Sequence, residues 1–315
     1  MAGVRESRGG VQLSSLDSPL FDGAGATKRD LVDYLDAVAE VLLPGLRDRP
    51  LTVLRARPGQ QPFMQKNVPS HAPDWIRTTV VRSQAAQRDV RYALCDDRRT
   101  LLWFANQRAV EYHPTLLPVG VERASSLVLD LDPPVDDAYR RVVAAARLVE
   151  RALADAGLAA AVKTSGAKGL HVVVPLEPTA VDDAAAATRA LAARAAALDP
   201  DLATTAFLKD DRGGRVFVDS TRAGGATIAA AYSPRVRPGV PVSFPVGWAD
   251  LDAVTPSDFT LRTVPAQLGG HVPWHERMPA PQALPADLIT EGHAIPVARV
   301  QAMHEGKRRA RARRS

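Results

Sequence analysis

The chain has 315 residues, 46% hydrophobic and 24% charged, with one cysteine, which allows a large buried core but excludes a disulfide scaffold and a cysteine-built metal site. No apolar run approaches the roughly 20 residues of a membrane span, and the start "MAGVRESRGG" lacks an apolar signal segment, so a cytosolic protein without membrane partners is expected. The net charge of +5 resides in the tail, because "KRRARARR", Lys307 to Arg314, carries six positive charges and leaves the rest at −1; this describes a solvated segment able to add salt-sensitive affinity for a polyanion rather than a basic body.

Residues 1–26 are rich in Gly and Ser and read as irregular. Thr27 and Asp30 form a capping-box pattern opening a helix through about Leu46, with Leu31, Leu35, Val38 and Leu42 on one face. "PLTVLRARPGQQPFMQKN", Pro50 to Asn67, reads as a strand, a Pro-Gly turn and a second strand, and "TLLWFANQRAVEYH", Thr100 to His113, as a strand entering a turn or short helix. From Ser125 the pattern becomes strand, helix (about Val135 to Ala156), strand (Ala161 to Thr164), turn, strand (Leu170 to Pro175) and helix (Val181 to Leu198). This alternation predicts an α/β fold, a sheet covered by helices. Further strands are expected at Arg215 to Val218, Thr227 to Ala230 and Phe259 to Val264.

"SSLVLDLDPPVDD" places Asp130 and Asp132 two apart on an apolar strand, hence on one face and roughly 6.5–7 Å apart along the chain. Two such carboxylates repel unless a cation lies between them, and a pair of divalent ions suits in-line phosphoryl chemistry. Pro133 and Pro134 end the strand and put the acids near its C-terminal edge, where open α/β sheets bind ligands. Alone, D-x-D reads equally as a strand end with two solvated acids. In "TSGAKGLH" two glycines flank Lys168 between strands, so backbone N–H groups, Ser165, Lys168 and His171 could converge on a triphosphate; a Gly-containing hairpin turn is the competing reading. Asp219 closes a third apolar strand in "GRVFVDS", with Arg235 on a later loop available to phosphate or template.

Taken together, "DLD", "TSGAKGLHVVVPL" and "VFVDS…AYSPRVRPGVPVS" resemble the three active-site motifs, in order, of the polymerase domain of bacterial ligase D, a branch of the archaeo-eukaryotic primase superfamily. "TKRDLVDYLDAVAEVLLPGLRDRPLT", "FMQKN", "LLWFANQRAVEYHP" and "GWADLD" extend the resemblance over about Leu16 to Gly270. The resemblance implies a primase-type α/β (α+β) catalytic core over 27–270 with an N-terminal α/β module packed against it, a C-terminal extension over 271–304 and a basic tail from 305. It implies template-dependent, metal-dependent nucleotidyl transfer to DNA 3′ ends at gaps or breaks, from NTP or dNTP, with ribonucleotides accepted readily. Asp130, Asp132 and Asp219 would hold two Mn²⁺ or Mg²⁺ ions, and Ser165, Lys168, His171, His113 and Arg235 the nucleotide. Phe63 would stack on a template base, with Arg55, Arg57 and Lys66 among the DNA contacts, and Lys28 would grip a downstream 5′-phosphate. A buried structural histidine competes for His113, and a solvated helix-start lysine for Lys28.

Departures accompany the match. Met64 follows Phe63 where many relatives carry "FF"; Ser220 and Ala223 alter the usual "DYxRN"; Ser18 stands near the place of a second phosphate-gripping lysine. No K-x-D-G nucleotidyl-lysine motif is present, so ligation by this chain itself is not expected; it reads either as a stand-alone polymerase or as a partner to a separate ligase and a Ku-type end-binding protein. Two alternatives remain at this stage. One is a haloacid-dehalogenase-like phosphatase, with "LKDD" (Leu208 to Asp211) supplying its later lysine and acids; the other is a noncatalytic DNA-end-binding protein.

Overall fold

A computed structural model describes residues 6–83, 88–135, 138–223, 226–270 and 273–297; the basic tail from 305 lies outside the described residues. The chain opens with a small hairpin, β1 (Ser7–Arg8) and β2 (Val11–Gln12), followed by α1 (Lys28–Ala37) and α2 (Ala39–Leu42). Next come β3 (Pro50–Arg57), β4 (Gln60–Gln65), β5 (Thr78–Ser83), β6 (Arg88–Leu94), α3 (Arg98–Asn106) and β7 (Ala109–Pro114). The third run is β8 (Arg123–Asp132), α4 (Tyr139–Asp155), β9 (Ala161–Thr164), β10 (Leu170–Ala180), α5 (Val181–Leu198), β11 (Ala203–Thr204) and β12 (Val216–Asp219). β13 (Pro245–Val246), α6 (Val264–Gln267), α7 (Trp274–Arg277) and α8 (Ala286–Ala294) complete it.

Two larger sheets result. One runs β11-β12-β8-β10-β9-β13, and the other β4-β3-β6-β5 with β7 also paired to β3. Helices α4 and α5 pack on each other and on the first sheet. Helix α5 can lie close because its buried stripe is mostly alanine: Ala184, Ala186, Ala187, Ala190 and Ala195. Helix α8 lies on α5 more closely still, since a Cβ added at Gly292 would stand 1.9 Å from the Ala186 carbonyl oxygen.

The segment 226–244 joins the sheets. Ile228 and Ala230 donate backbone N–H bonds to Pro114 and Tyr112 (3.3 and 3.0 Å), and Thr164 donates to Phe244 (2.8 Å). The Tyr34 hydroxyl donates to the Tyr232 carbonyl at 2.7 Å, bringing α1 to the same segment. One connected core therefore reaches from Val11 to Leu288.

The Thr27 capping box forms as read, with Thr27 N–H donating to Asp30 at 2.7 Å and Asp30 N–H to the Thr27 hydroxyl at 3.2 Å. Four expectations are corrected. The first helix pauses at Val38 and ends as a 3-10 turn around Pro44, which has no N–H to continue an α-helix. The apolar run at Thr100 is helix α3 and only the following Ala109–Pro114 is a strand; a short continuous apolar run cannot distinguish a buried helix from a buried strand, whereas the Asp97 cap on the Thr100 N–H (2.8 Å) decides it. Thr227 and Thr260 make only isolated bridges, so no named strand covers 227–230 or 259–264. Residues 6–26 carry the hairpin and bury Leu13, Leu16 and Leu20, so this part of the N-terminal segment is packed.

The α5/α8 contact yields a stability prediction. Gly292→Ala should lower the unfolding free energy by about 1–3 kcal/mol, because the new methyl meets backbone rather than a mobile side chain. Urea unfolding should show an earlier midpoint with an unchanged slope.

Candidate active site

Register creates the site. Asp219 of β12 lies opposite Asp130 of β8, Asp130 opposite His171 of β10, and His171 opposite Lys163 of β9. Directly paired residues share a face, so four polar side chains stand in a row across four strands, with Asp132 two residues on from Asp130. All four are nearly buried: Lys163 2%, His171 3%, Asp219 5% and Asp130 7% exposed.

Beside the row opens a cleft of about 470 Å³, lined by Asp130, Asp132, Ser165, Lys168, His171, His113 and Arg235 among others. The structure thus brings together the expected nucleotide residues and two of the expected carboxylates, with Asp219 adjacent in the row. Lys209, Arg212, Arg222 and Arg237 line it too, so an acidic floor faces a basic wall.

Charges here are interdependent. Burial opposes ionisation of Asp130, but His171 at 3.4 Å, Arg222 at 3.2 Å and Lys163 hold its carboxyl well below the usual range. Burial, then the Asp130 and Asp219 carboxylates, push Asp132 up to about 6. Burial and then Lys163 push His171 down to about 4, while burial and then Arg235 depress the Lys163 ammonium. Arg222 also lies 3.6 Å from Asp219, making it the cation that balances two of the three acids in this arrangement. Among the described residues no three acidic, histidine or cysteine side chains converge into a ready-made metal cage. The donor set nevertheless fits a hard divalent ion, being all carboxylate oxygen and carrying mutual repulsion that positive charge relieves.

The Gly-containing turn is tightly held. A Cβ at Gly169 would meet the Leu131 carbonyl oxygen at 2.0 Å, and Gly166, at φ +69°, would meet the Ser243 backbone nitrogen at 2.5 Å. Only glycine permits the turn to lie between β8 and the 242–243 backbone. Ser165 Oγ accepts the Ala167 and Gly169 N–H groups at 3.2 and 3.0 Å, so these donors close the turn and are not aimed at an anion as the motif suggested. The turn's positive charge at the cleft comes from the partly exposed Lys168, whose ammonium is lowered by slight burial and by Arg237 and Lys209.

Sequence reasoning missed Glu111, although it lies inside the quoted "VEYH". This buried carboxylate reaches His113 Nε2 at 2.7 Å and Arg235 Nε at 3.0 Å, and accepts the Val236 N–H at 2.8 Å. One acid therefore fixes both His113 and Arg235 at the cleft. Burial acts against its charge, yet His113 and Arg235 draw its carboxyl down to about 2. Lys209 stood in the stretch assigned to the phosphatase alternative with Arg212 just after it, Arg237 lay inside a quoted motif, and Arg222 fell between the altered Ser220 and Ala223; a basic residue in a loop gives no sign of which cleft it will line.

The expected DNA contacts lie away from the lining of this cleft. Phe63 is 44% exposed on β4, with Arg55 stacked on its ring at 5.4 Å, and its neighbour Met64 is the β4 side chain lining the cleft. Arg55 is buried and donates to the Gln107 carbonyl (2.7 Å) and to Gln65 (2.9 Å), whereas Arg57 and Lys66 are exposed. Lys28 is 3% exposed and donates to the Ser14 carbonyl and Asn106 Oδ1, both at 2.6 Å, so it is not the solvated helix-start lysine of the competing reading. Burial, then Arg108 and Arg57, bring its ammonium down to about 8, and Arg108 donates to the Ser18 hydroxyl.

The family model described as "LigD, primase-polymerase domain" matches residues 27–274. The chain belongs to the LigD primase-polymerase domain family. It is 34% identical over 260 residues to the bifunctional non-homologous end joining protein LigD of Bacillus subtilis, covering 81% of this chain and 42% of that protein. It is 35% identical over 265 residues to the multifunctional non-homologous end joining DNA repair protein LigD of Mycobacterium tuberculosis H37Rv, covering 80% and 34%. The chain thus spans between a third and somewhat over two fifths of these relatives. Among solved structures, the polymerase domain of Mycobacterium tuberculosis ligase D in complex with DNA matches with a TM-score of 0.78 and 33% identity, over 87% of this chain and 98% of that one. The mixed helix and sheet content agrees with a LigD polymerase domain, and the phosphatase alternative is set aside. β8 runs antiparallel to both its neighbours, with Asp130 and Asp132 at its C-terminal end as expected.

The Glu111 network predicts a pH-dependent stability difference. Because the folded-state pKa of about 2 lies below the ordinary 4.5, the contribution is present above about pH 4.5 and is lost as pH falls toward 2. Glu111→Gln should be less stable than wild type by on the order of 3 kcal/mol at pH 7. Urea titrations repeated down to pH 3 should show the two curves converging.

Proposed function

We propose that this LigD-family chain is a metal-dependent nucleotidyltransferase, in which residues 27–270 add nucleotides to a DNA 3′ end on a template at short gaps or breaks. The observation carrying this reading is the acidic row Asp219–Asp130, with Asp132 beside it, facing a basic wall across one cleft. Asp130, Asp132 and Asp219 would hold Mn²⁺ or Mg²⁺. Bound there, two such ions supply Lewis-acid activation of an attacking 3′ oxygen and neutralise charge on a leaving pyrophosphate.

The chain's own residues do the rest. Lys168, Lys209, Arg212 and Arg237 balance triphosphate charge at the cleft wall, and His171 donates from the floor toward the nucleotide. Glu111 holds His113 and Arg235 against the nucleotide's other side, where both reach a ribose or phosphate oxygen. Phe63, exposed on β4 next to the cleft-lining Met64, stacks on a template base, with Arg57 and Lys66 on the phosphate backbone. Residues 27–270 carry no ligase chemistry in this reading, and a ligase activity and a Ku-type end-binding partner would complete the joining, in the cytosol. None of the described helices is long and apolar enough to cross a membrane.

Two experiments test this reading. Asp130→Asn, Asp132→Asn and Asp219→Asn should each lose at least about a hundredfold in primer extension with Mn²⁺ while still binding DNA. Normal extension by any of them would reject the assigned site, and an inactive wild type that binds DNA ends would favour the noncatalytic alternative. Parallel assays with GTP and dGTP should show the ribonucleotide used at least as well, since no bulky side chain in the Ser165–His171 turn blocks a 2′-hydroxyl.

The buried Lys28 sharpens the downstream contact. Lys28, Arg57 and Arg108 cluster closely enough to depress the Lys28 ammonium, and such a cluster is suited to a compact dianion. Gapped DNA bearing a 5′-phosphate should therefore bind about tenfold better than its hydroxyl counterpart, and Arg108→Ala should reduce that ratio as strongly as Lys28→Ala. A ratio unchanged in both variants would place the phosphate elsewhere.

A further inference from the structure

Lys163 has no part in the nucleotide chemistry described so far, yet it occupies the end of the buried row, 2% exposed on β9. Its Nζ makes three contacts: the Ala229 carbonyl at 2.9 Å, Ser243 Oγ at 2.6 Å and His171 Nδ1 at 2.5 Å. Ser243 donates its own hydrogen to the Thr164 carbonyl at 2.8 Å, so toward Lys163 it can only accept. Two N–H groups of Lys163 are therefore committed to oxygen acceptors, and the third position on nitrogen faces the imidazole.

Only two arrangements satisfy that third contact with the same number of protons. In one, an ammonium N–H donates to a bare Nδ1, and the neutral ring carries its hydrogen on Nε2. In the other, the shared proton sits on Nδ1 and the ring carries hydrogens on both nitrogens. Either way Nε2 keeps its hydrogen, directed at Asp130 Oδ1 3.4 Å away. Removing it would turn a nitrogen lone pair toward a carboxylate, with the Asp219 carboxylate next in the row. The two ends of the imidazole thus select the same form.

We propose that Lys163 is a positioning residue that locks His171 with Nε2–H toward the nucleotide site, making His171 a hydrogen-bond donor there and excluding it as a metal ligand through that atom. Its kinetic consequence rests on the nucleotide-transfer reading above; the tautomer does not. A methyl-terminated side chain of similar length at 163 would fill the space and leave Nδ1 without its donor, freeing the ring to exchange tautomers.

The direct test is a long-range ¹H–¹⁵N imidazole spectrum of the ¹⁵N-labelled full chain, with His171 assigned by the signals lost in His171→Gln. A protonated, pyrrole-type Nε2 is expected in the wild type; a pyridine-type Nε2 would overturn the proposal without the need for any variant at 163. Lys163→Met, checked for folding by urea unfolding, should show mixed tautomers and an increase of about tenfold in KM for GTP, with a smaller change in kcat and unchanged DNA binding. Lys163→Gln, whose amide still donates, should recover part of the KM loss. Unaltered His171 signals and an unaltered KM in Lys163→Met would equally overturn it. A locked Nε2–H tautomer in a chain that transfers no nucleotide would support the assignment while rejecting the activity, so the two failures are separable.

Discussion

Burying two carboxylates, an imidazole and an ammonium side by side is the costliest arrangement in this fold, and most of the surrounding structure makes it tolerable. Each buried charge needs a partner or a hydrogen bond, because an isolated one costs several kcal/mol even after relaxation. The row supplies partners internally: Lys163 and His171 face Asp130, and Arg222 closes the other side against Asp130 and Asp219. Strand register does the sorting. A slip of one residue in β8 against β10 would turn Asp130 to the opposite face and place Leu129 or Leu131 in the row.

The segment 226–244 shows how the two sheets come to share one site. Ala229 caps Lys163, Ser243 joins Lys163 to Thr164, and Arg235 reaches both Glu111 on β7 and the Ser165 carbonyl in the Gly-containing turn. This stretch runs beside β7 on one side and exchanges hydrogen bonds with Thr164 of β9 on the other, so the spacing of the sheets and the positions of the cleft-lining groups are set by the same hydrogen bonds. The two glycines that admit the turn against Leu131 and Ser243 belong to this arrangement as much as any charged residue does.

Much of this was legible in the chain itself. The capping box at Thr27, the strand carrying D-x-D, helix α5 over Val181–Leu198 and the order of the three motifs were readable because each depends on residues close in sequence. Helix α3 was misread because its buried residues, Thr100 to Ala105, are consecutive, and a short continuous apolar run does not distinguish a helix from a strand. Lys163 and Glu111 were invisible as functional groups for another reason: what they do depends on partners 66, 80 and more than 120 residues away. The same holds for Lys28, whose burial depends on Asn106 of α3. Local pattern reveals which side chains carry chemistry, whereas the partners that orient them are set by register and by chain crossings.

The most direct measurement is anomalous scattering from crystals of the chain grown with Mn²⁺, a nonhydrolysable ribonucleoside triphosphate and primed template DNA. The account predicts manganese peaks bounded by Asp130, Asp132 and Asp219, triphosphate oxygens against Lys168 and the basic wall, and His171 Nε2 at hydrogen-bond distance from a nucleotide oxygen. Manganese bound by His171 Nε2, or peaks remote from the Asp219–Asp130 row with the triphosphate outside the cleft, would contradict it.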